Sequence, residues 1–133
     1  MNWQNEAMTA KPEEIEIKVD TRYLAEQSDP GKGRYAFAYT IGITNRGDET
    51  VKLLNRHWRI TDDENRVEEV MGEGVIGQQP EIPPGESFRY TSGAVIRTET
   101  GTMQGSYEML AENGDKFKAP IPAFLLAPPN VVH

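Results

Sequence analysis

Between Tyr35 and Ile43 every second residue is large and apolar: Tyr35, Phe37, Tyr39, Ile41 and Ile43 alternate with Ala36, Ala38, Thr40 and Gly42. A two-residue period puts those five side chains on one side of an extended backbone and is incompatible with a helix, whose faces repeat near every 3.6 residues. The same pattern recurs along the chain. Ile15, Ile17 and Val19 alternate with charged residues, as do Met103, Tyr107 and Met109 with polar ones, and Phe88 and Tyr90 mark a further strand. In Val51 to Thr61, Trp58 and Ile60 share one parity while Leu53 and Leu54 break it, which predicts a bulge near Leu54.

Turn residues separate these runs. Asp29, Pro30, Gly31 and Gly33 form one cluster, Asn45 to Asp48 another, and Asp62 to Asn65 lead into a strand over Arg66 to Met71. Asn113-Gly114 is a strong hairpin signal, predicting a tight turn with positive φ at both central positions before a strand opened by Phe117. That last strand carries Pro120 and Pro122 two residues apart. Their missing N–H groups fall on one side, so it is expected at a sheet edge. About seven short strands with no sustained helical period predict an all-β, two-sheet antiparallel sandwich or open barrel. Residues 1–13 read as a loose arm, 14–127 as one domain and 128–133 as a tail.

A 133-residue chain can bury a core without staples, and this one has no cysteine, hence no thiol nucleophile, disulfide or thiolate metal site. The start of the chain has no leader pattern, and no run approaches the ~18 apolar residues of a membrane helix. A soluble, unprocessed protein is expected, and the lack of cysteine permits a reducing compartment without requiring one. The net charge of −7 opposes attraction to nucleic-acid phosphates and anionic lipid. Neither nucleic acid nor membrane is an expected partner.

Gly72, Gly74 and Gly77 spell G-x-G-x-x-G, the spacing of dinucleotide-binding loops. That motif needs a buried strand before it and a helix after it to hold the pyrophosphate. Here RVEEVM precedes, and Pro80, Pro83 and Pro84 follow, so no helix can form. The expected role is a glycine-bent connection between sheets. A backbone anion nest or a partner-binding loop stays open as an alternative.

Arg56, His57, Trp58 and Arg59 bring two cations, an imidazole and an indole together. Strand parity turns Trp58 into the core with Ile60 and projects His57 and Arg59 from the other face. The other histidine is the terminal His133 and no G-x-S-x-G elbow exists, so neither a multi-histidine metal site nor a hydrolytic triad is expected. Asp62, Asp63, Glu64, Glu68, Glu69 and Glu73 concentrate negative charge, but not in calcium-loop spacing. Weak divalent-cation binding is the most they suggest. No catalytic set, resident metal or cofactor is expected.

Taken together, the strings YTIGITNRGDE, LLNRHWRITD, VMGEGVIGQQPEIPPGESFRYTSG, GTMQGSYEM and IPAF resemble the ApaG family in order and spacing over about residues 15 to 126. The resemblance implies a fibronectin type III-like (immunoglobulin-like) sandwich and a bacterial cytoplasmic protein without an established activity. Related domains look like appendages of eukaryotic F-box and polymerase-interacting proteins, which implies protein binding. The family's association with divalent-cation homeostasis and dinucleoside-polyphosphate metabolism implies small-ligand binding as the alternative: polyphosphate, or Mg²⁺ or Co²⁺. Gly72, Gly74 and Gly77 match its glycine loop and Arg56, His57 and Trp58 its RHW string. The chain departs from the pattern at Gly93 to Ile96 and at Asn65 and Arg66. A non-enzymatic protein-interaction module is thus the expected function. Its surface would be built from Arg56, His57, Arg59, Gly72, Glu73, Gly74 and Gly77.

Overall fold

A computed structural model describes residues 11–130. Eight antiparallel strands run in chain order: β1 (Ile15–Tyr23), β2 (Tyr35–Asn45), β3 (Val51–Asp62), β4 (Val67–Glu73), β5 (Glu81–Ile82), β6 (Ser87–Ile96), β7 (Gly101–Ala111) and β8 (Lys116–Leu126). Short 3-10 turns at Pro12–Glu14, Ala25–Gln27 and Pro30–Lys32 are the helical elements among the described residues. None is long and apolar enough to cross a membrane. Most of the expected arm at 1–13, and 131–133 of the expected tail, lie outside the described residues.

The strands form two sheets in the orders β1-β2-β6 and β4-β3-β7-β8, with the two-residue β5 added beside the start of β3. This is the two-sheet fibronectin type III arrangement. The alternating residues of β2 supply one inner face through Phe37, Tyr39, Ile41 and Ile43, and Leu53, Trp58, Met103, Tyr107 and Met109 supply the other, all buried. Each such large side chain contributes on the order of 1.5–3 kcal/mol by leaving water. Trp58 is the hub, meeting Tyr39, Tyr107 and Phe124 edge-on at centroid separations of 5.3, 6.4 and 5.8 Å. The anticipated bulge falls between Leu53 and Asn55, where the β3–β7 register shifts. It lets Leu53 and Trp58 both point inward although they stand an odd five positions apart.

Two polar devices align the apolar layers. The hydroxyls of Tyr90 on β6 and Tyr107 on β7 hydrogen-bond to each other across the core. Burial pushes both phenols well above their usual pKa. Asn45, 1% exposed, ends β2 and donates through Nδ2 to the Glu49 and Ile82 carbonyls at 2.6 and 2.8 Å, while its Oδ1 accepts the Gly47 N–H. Its own backbone receives Gly85 N–H and donates to the Glu86 carbonyl. One side chain therefore fastens the β2–β3 turn to the β5–β6 connection.

The Asn113-Gly114 hairpin forms, but not as a two-residue turn with two positive φ angles. Only Gly114 is left-handed, at φ +91°, and the loop spans three residues, closed by Ala111 N–H to the Asp115 carbonyl. Asn113 Oδ1 accepts the Asp115 N–H, holding a local turn that leaves the left-handed position to glycine. The Asp62–Arg66 hairpin repeats this geometry with Asn65 left-handed at φ +62°.

The edge position of β8 is borne out. Alternation from the Ala111 N–H to Asp115 bond makes Phe117, Ala119 and Ile121 the residues that bond to β7. The nitrogen of Pro120 then faces outward, where no partner strand lies among the described residues.

Candidate functional site

The seven residues singled out from the sequence divide into two groups. His57 and Arg59 project from the outer face of the larger, five-stranded sheet, opposite buried Trp58, and Glu73 joins them from β4. Arg56 and Gly72 line the same concavity as His57 and Glu73 at its glycine-loop end, and Arg56 also braces the loop through the Glu73 and Gly74 carbonyls. Gly77 stands exposed at the loop's tip.

On the outer face, His57 lies between Met71 of β4 and Ser106 of β7 in the ladder. Its Nε2 is 3.4 Å from Glu69 Oε1, a diagonal pair across two strands. Asn55 donates to Glu108 Oε1 at 2.7 Å on the neighbouring rung. A concavity of about 710 Å³ opens here, with Met71, 77% exposed, on one rim and Lys118 on the other. It continues past Ser106 and Gly105 towards Pro120 and Pro122. Ser106, His57 and Glu69 stand in the order of a hydrolytic triad. No hydrogen bond joins Ser106 to His57 among the described residues, and the ladder engages the strand amides around Ser106 that an oxyanion would need.

The glycine loop is bound by its own chain. Arg56 has the same parity as Trp58 and lies across Gly72, where an added Cβ would sit 2.7 Å from the guanidinium. The guanidinium donates to the Glu73 and Gly74 carbonyls at 3.2 and 3.0 Å. Gly74, at φ +64°, passes so close to the next segment that a Cβ would lie 2.2 Å from the Gln78 carbonyl oxygen. Its N–H bonds Leu54 O, and Val75 and Gln78 exchange two backbone bonds around a tight turn. The N–H groups of Gly74, Val75 and Gln78 are thus already engaged and unavailable to an anion. The turn's central residues are Ile76, at φ +42°, and Gly77, at φ +78°; a β-branched residue there is strained, and Ile76 is 53% exposed.

The acidic cluster disperses. Asp62, 8% exposed, accepts Glu64 and Arg66 N–H with Oδ1 and the Arg66 guanidinium with Oδ2 at 2.6 Å. Burial alone would raise its pKa, but these donors and the Arg66 charge together hold it below the usual carboxylate value. Glu64 pairs with Arg66 and Glu69 with His57. No three histidine, aspartate or glutamate side chains come together as a metal site among the described residues.

Met71, Ser106, Glu108, Lys118 and Asn55 also line the outer face and were not singled out from the sequence, whereas Glu69 belongs to the acidic run and stands here as the partner of His57. Alternation alone could have placed Glu69 and Met71 beside Glu73. Ser106, Glu108 and Lys118 come from strands whose neighbours depend on topology, which no local pattern contains.

The chain is therefore a fibronectin type III-like β-sandwich with a hollowed, charged outer sheet face and an internally braced glycine loop. Residues 25–111 match the ApaG domain family model. A protein from Thiobacillus denitrificans, ApaG, is 57% identical over 92% of this chain and 97% of its own length. An ApaG protein from Pseudomonas putida is 58% identical, covering 90% and 95%. A crystal structure of an ApaA protein from Bordetella pertussis superposes with a TM-score of 0.86 at 51% identity, covering 88% of this chain and 95% of that one. The chain belongs to the ApaG family.

Proposed function

We propose that this chain is a non-catalytic, protein-binding module of the cytoplasm that recognises its partner with the outer face of the larger, five-stranded sheet. The observation that carries this reading is the concavity beside His57, where a methionine side chain is 77% exposed next to the Glu69 and Glu108 carboxylates and Lys118. An adaptable apolar anchor ringed by charges is a common composition for a recognition surface. The glycine loop, braced by Arg56, presents Ile76 at the end of the same sheet. Polyphosphate binding at the loop has less support, since its Gly74, Val75 and Gln78 N–H groups already have acceptors.

The test compares partner capture by the wild-type chain, a His57→Ala/Met71→Lys variant and a Lys18→Ala control on the other sheet, where Lys18 is 79% exposed. With thermal stability matched, the face variant is expected to lose partners that the control retains. Equal recovery by all three would refute the reading.

A further inference from the structure

The β4 and β8 edges of the larger, five-stranded sheet are treated differently. On β8 the free side carries Pro120, and the strand also has Pro122, Lys116, Lys118 and a register shift opposite Met103 to Gly105. These are standard protections against a further strand. β4, reading VEEVMGE, has no proline, lysine or arginine, and its register with β3 is unbroken from Val67 to Glu73.

The β4 ladder is fixed at both ends by Asp62 N–H to Arg66 O and Gly74 N–H to Leu54 O. Alternation between them assigns Glu68, Val70 and Gly72 to bonding β3. The N–H and C=O groups of Val67, Glu69, Met71 and Glu73 point outward, and the side chains of these four residues lie on the outer face. Beside this edge, at the Arg66 end of β4, runs a groove of about 340 Å³ in which Ile60, Val95 and Ile96 stand beside the charged Arg66, Glu68 and Arg97, with Val95 45% exposed.

We propose that the β4 edge takes up an extended peptide in which basic residues alternate with apolar ones. This rests on the protein-binding reading and gives the partner its chemistry. A strand added to β4 sends successive side chains to opposite faces. On the outer face they meet Glu69 and Glu73, which select lysine or arginine; on the inner side they enter the groove against Ile60 and Ile96, whose apolar wall takes small aliphatic groups. A second copy of this chain is disfavoured as the occupant, because β4 would bring its own carboxylates and a chain charge of −7 to the same edge.

The test uses the full chain, ¹⁵N-labelled, and an end-capped heptapeptide alternating lysine and valine. Saturable amide shifts and slowed hydrogen exchange are expected at Val67, Glu69, Met71 and Glu73. Replacing the peptide lysines by glutamate, or N-methylating the backbone nitrogens that face β4, is expected to weaken binding at least about tenfold. A Glu69→Lys/Glu73→Lys variant should invert the preference between lysine and glutamate peptides. Shifts scattered over acidic residues of both sheets, equal binding of the N-methylated peptide, or no saturation at millimolar peptide would overturn the proposal. If the peptide fails while the His57/Met71 variant still loses captured partners, the edge is refuted and the binding module stands. If both fail, the module reading falls with it.

Discussion

Replacing the three motif glycines by alanine one at a time should separate their roles by the size of the loss. At Gly77 an added Cβ meets open space, so only the left-handed backbone at φ +78° is penalised, by about 1 kcal/mol. At Gly74 the same backbone penalty applies, and the Cβ would also stand 2.2 Å from the Gln78 carbonyl oxygen. That contact is backbone and cannot swing aside, so the paired Val75–Gln78 bonds must open, adding about 1 kcal/mol each. The total is about 3 kcal/mol. At Gly72 the obstacle is the far end of Arg56, which can move but then releases the Glu73 and Gly74 carbonyls. At this partly exposed position the loss is about 1 kcal/mol. Urea unfolding followed by tryptophan fluorescence reads these values directly. With a slope of about 2 kcal/mol per molar, Gly74→Ala lowers the midpoint by about 1.5 M and the other two by about 0.5 M. Adding Arg56→Ala should make Gly72→Ala nearly free, a coupling of about 1 kcal/mol. Equal losses at all three positions, or additive behaviour of Gly72 with Arg56, would refute the bracing argument.

Asn45→Ala should cost about 3 kcal/mol, because it strands the buried Ile82 carbonyl and removes two further bonds; Asn45→Asp should be no better, setting a carboxylate against two carbonyl oxygens, and calorimetry should register a drop of about 10 °C for either. The depressed pKa of Asp62 adds stability that is present in full above its ordinary value of 3.8 and is lost as pH falls through the lowered folded value, so an acid titration of unfolding should flatten in Asp62→Asn. Tyr90 and Tyr107 act in the opposite direction: their raised pKa values leave stability intact below about pH 10 and remove it as pH rises further, and Tyr107→Phe should reduce that alkaline loss in unfolding experiments. Trp58→Ala should cost about 3–5 kcal/mol in the same assay by emptying the space among Tyr39, Tyr107 and Phe124.

The strands were legible because burial acts on every second residue and leaves a local trace. Tyr35 to Ile43, the irregularity at Leu54 and the proline-marked edge all translate directly into contacts or their prevention. β5 was not legible, since Glu81 and Ile82 are too short a run to show a period and sit among prolines. The type of the Asn113-Gly114 turn was misread because a dipeptide does not reveal which side chain will bond the backbone two residues on. The site was half visible. Parity placed His57 and Arg59 outward, but the same rule put Arg56 on Trp58's side, and only the fold brought it against Gly72. Ser106 and Glu108 entered through the pairing of β7 with β3, a long-range fact with no local signature.

The proline at the outer side of β8 also bears on self-association. Head-to-tail polymerisation of a sheet requires every subunit to offer a donor edge and an acceptor edge, so that each addition recreates the site it consumed. With one of those edges unable to supply an N–H at Pro120, the β4 edge has no matching ladder in β8 of an identical molecule. A series of molecules joined β4 to β8 would interrupt its hydrogen bonding at every Pro120. Raising the concentration of the protein does not remove that interruption.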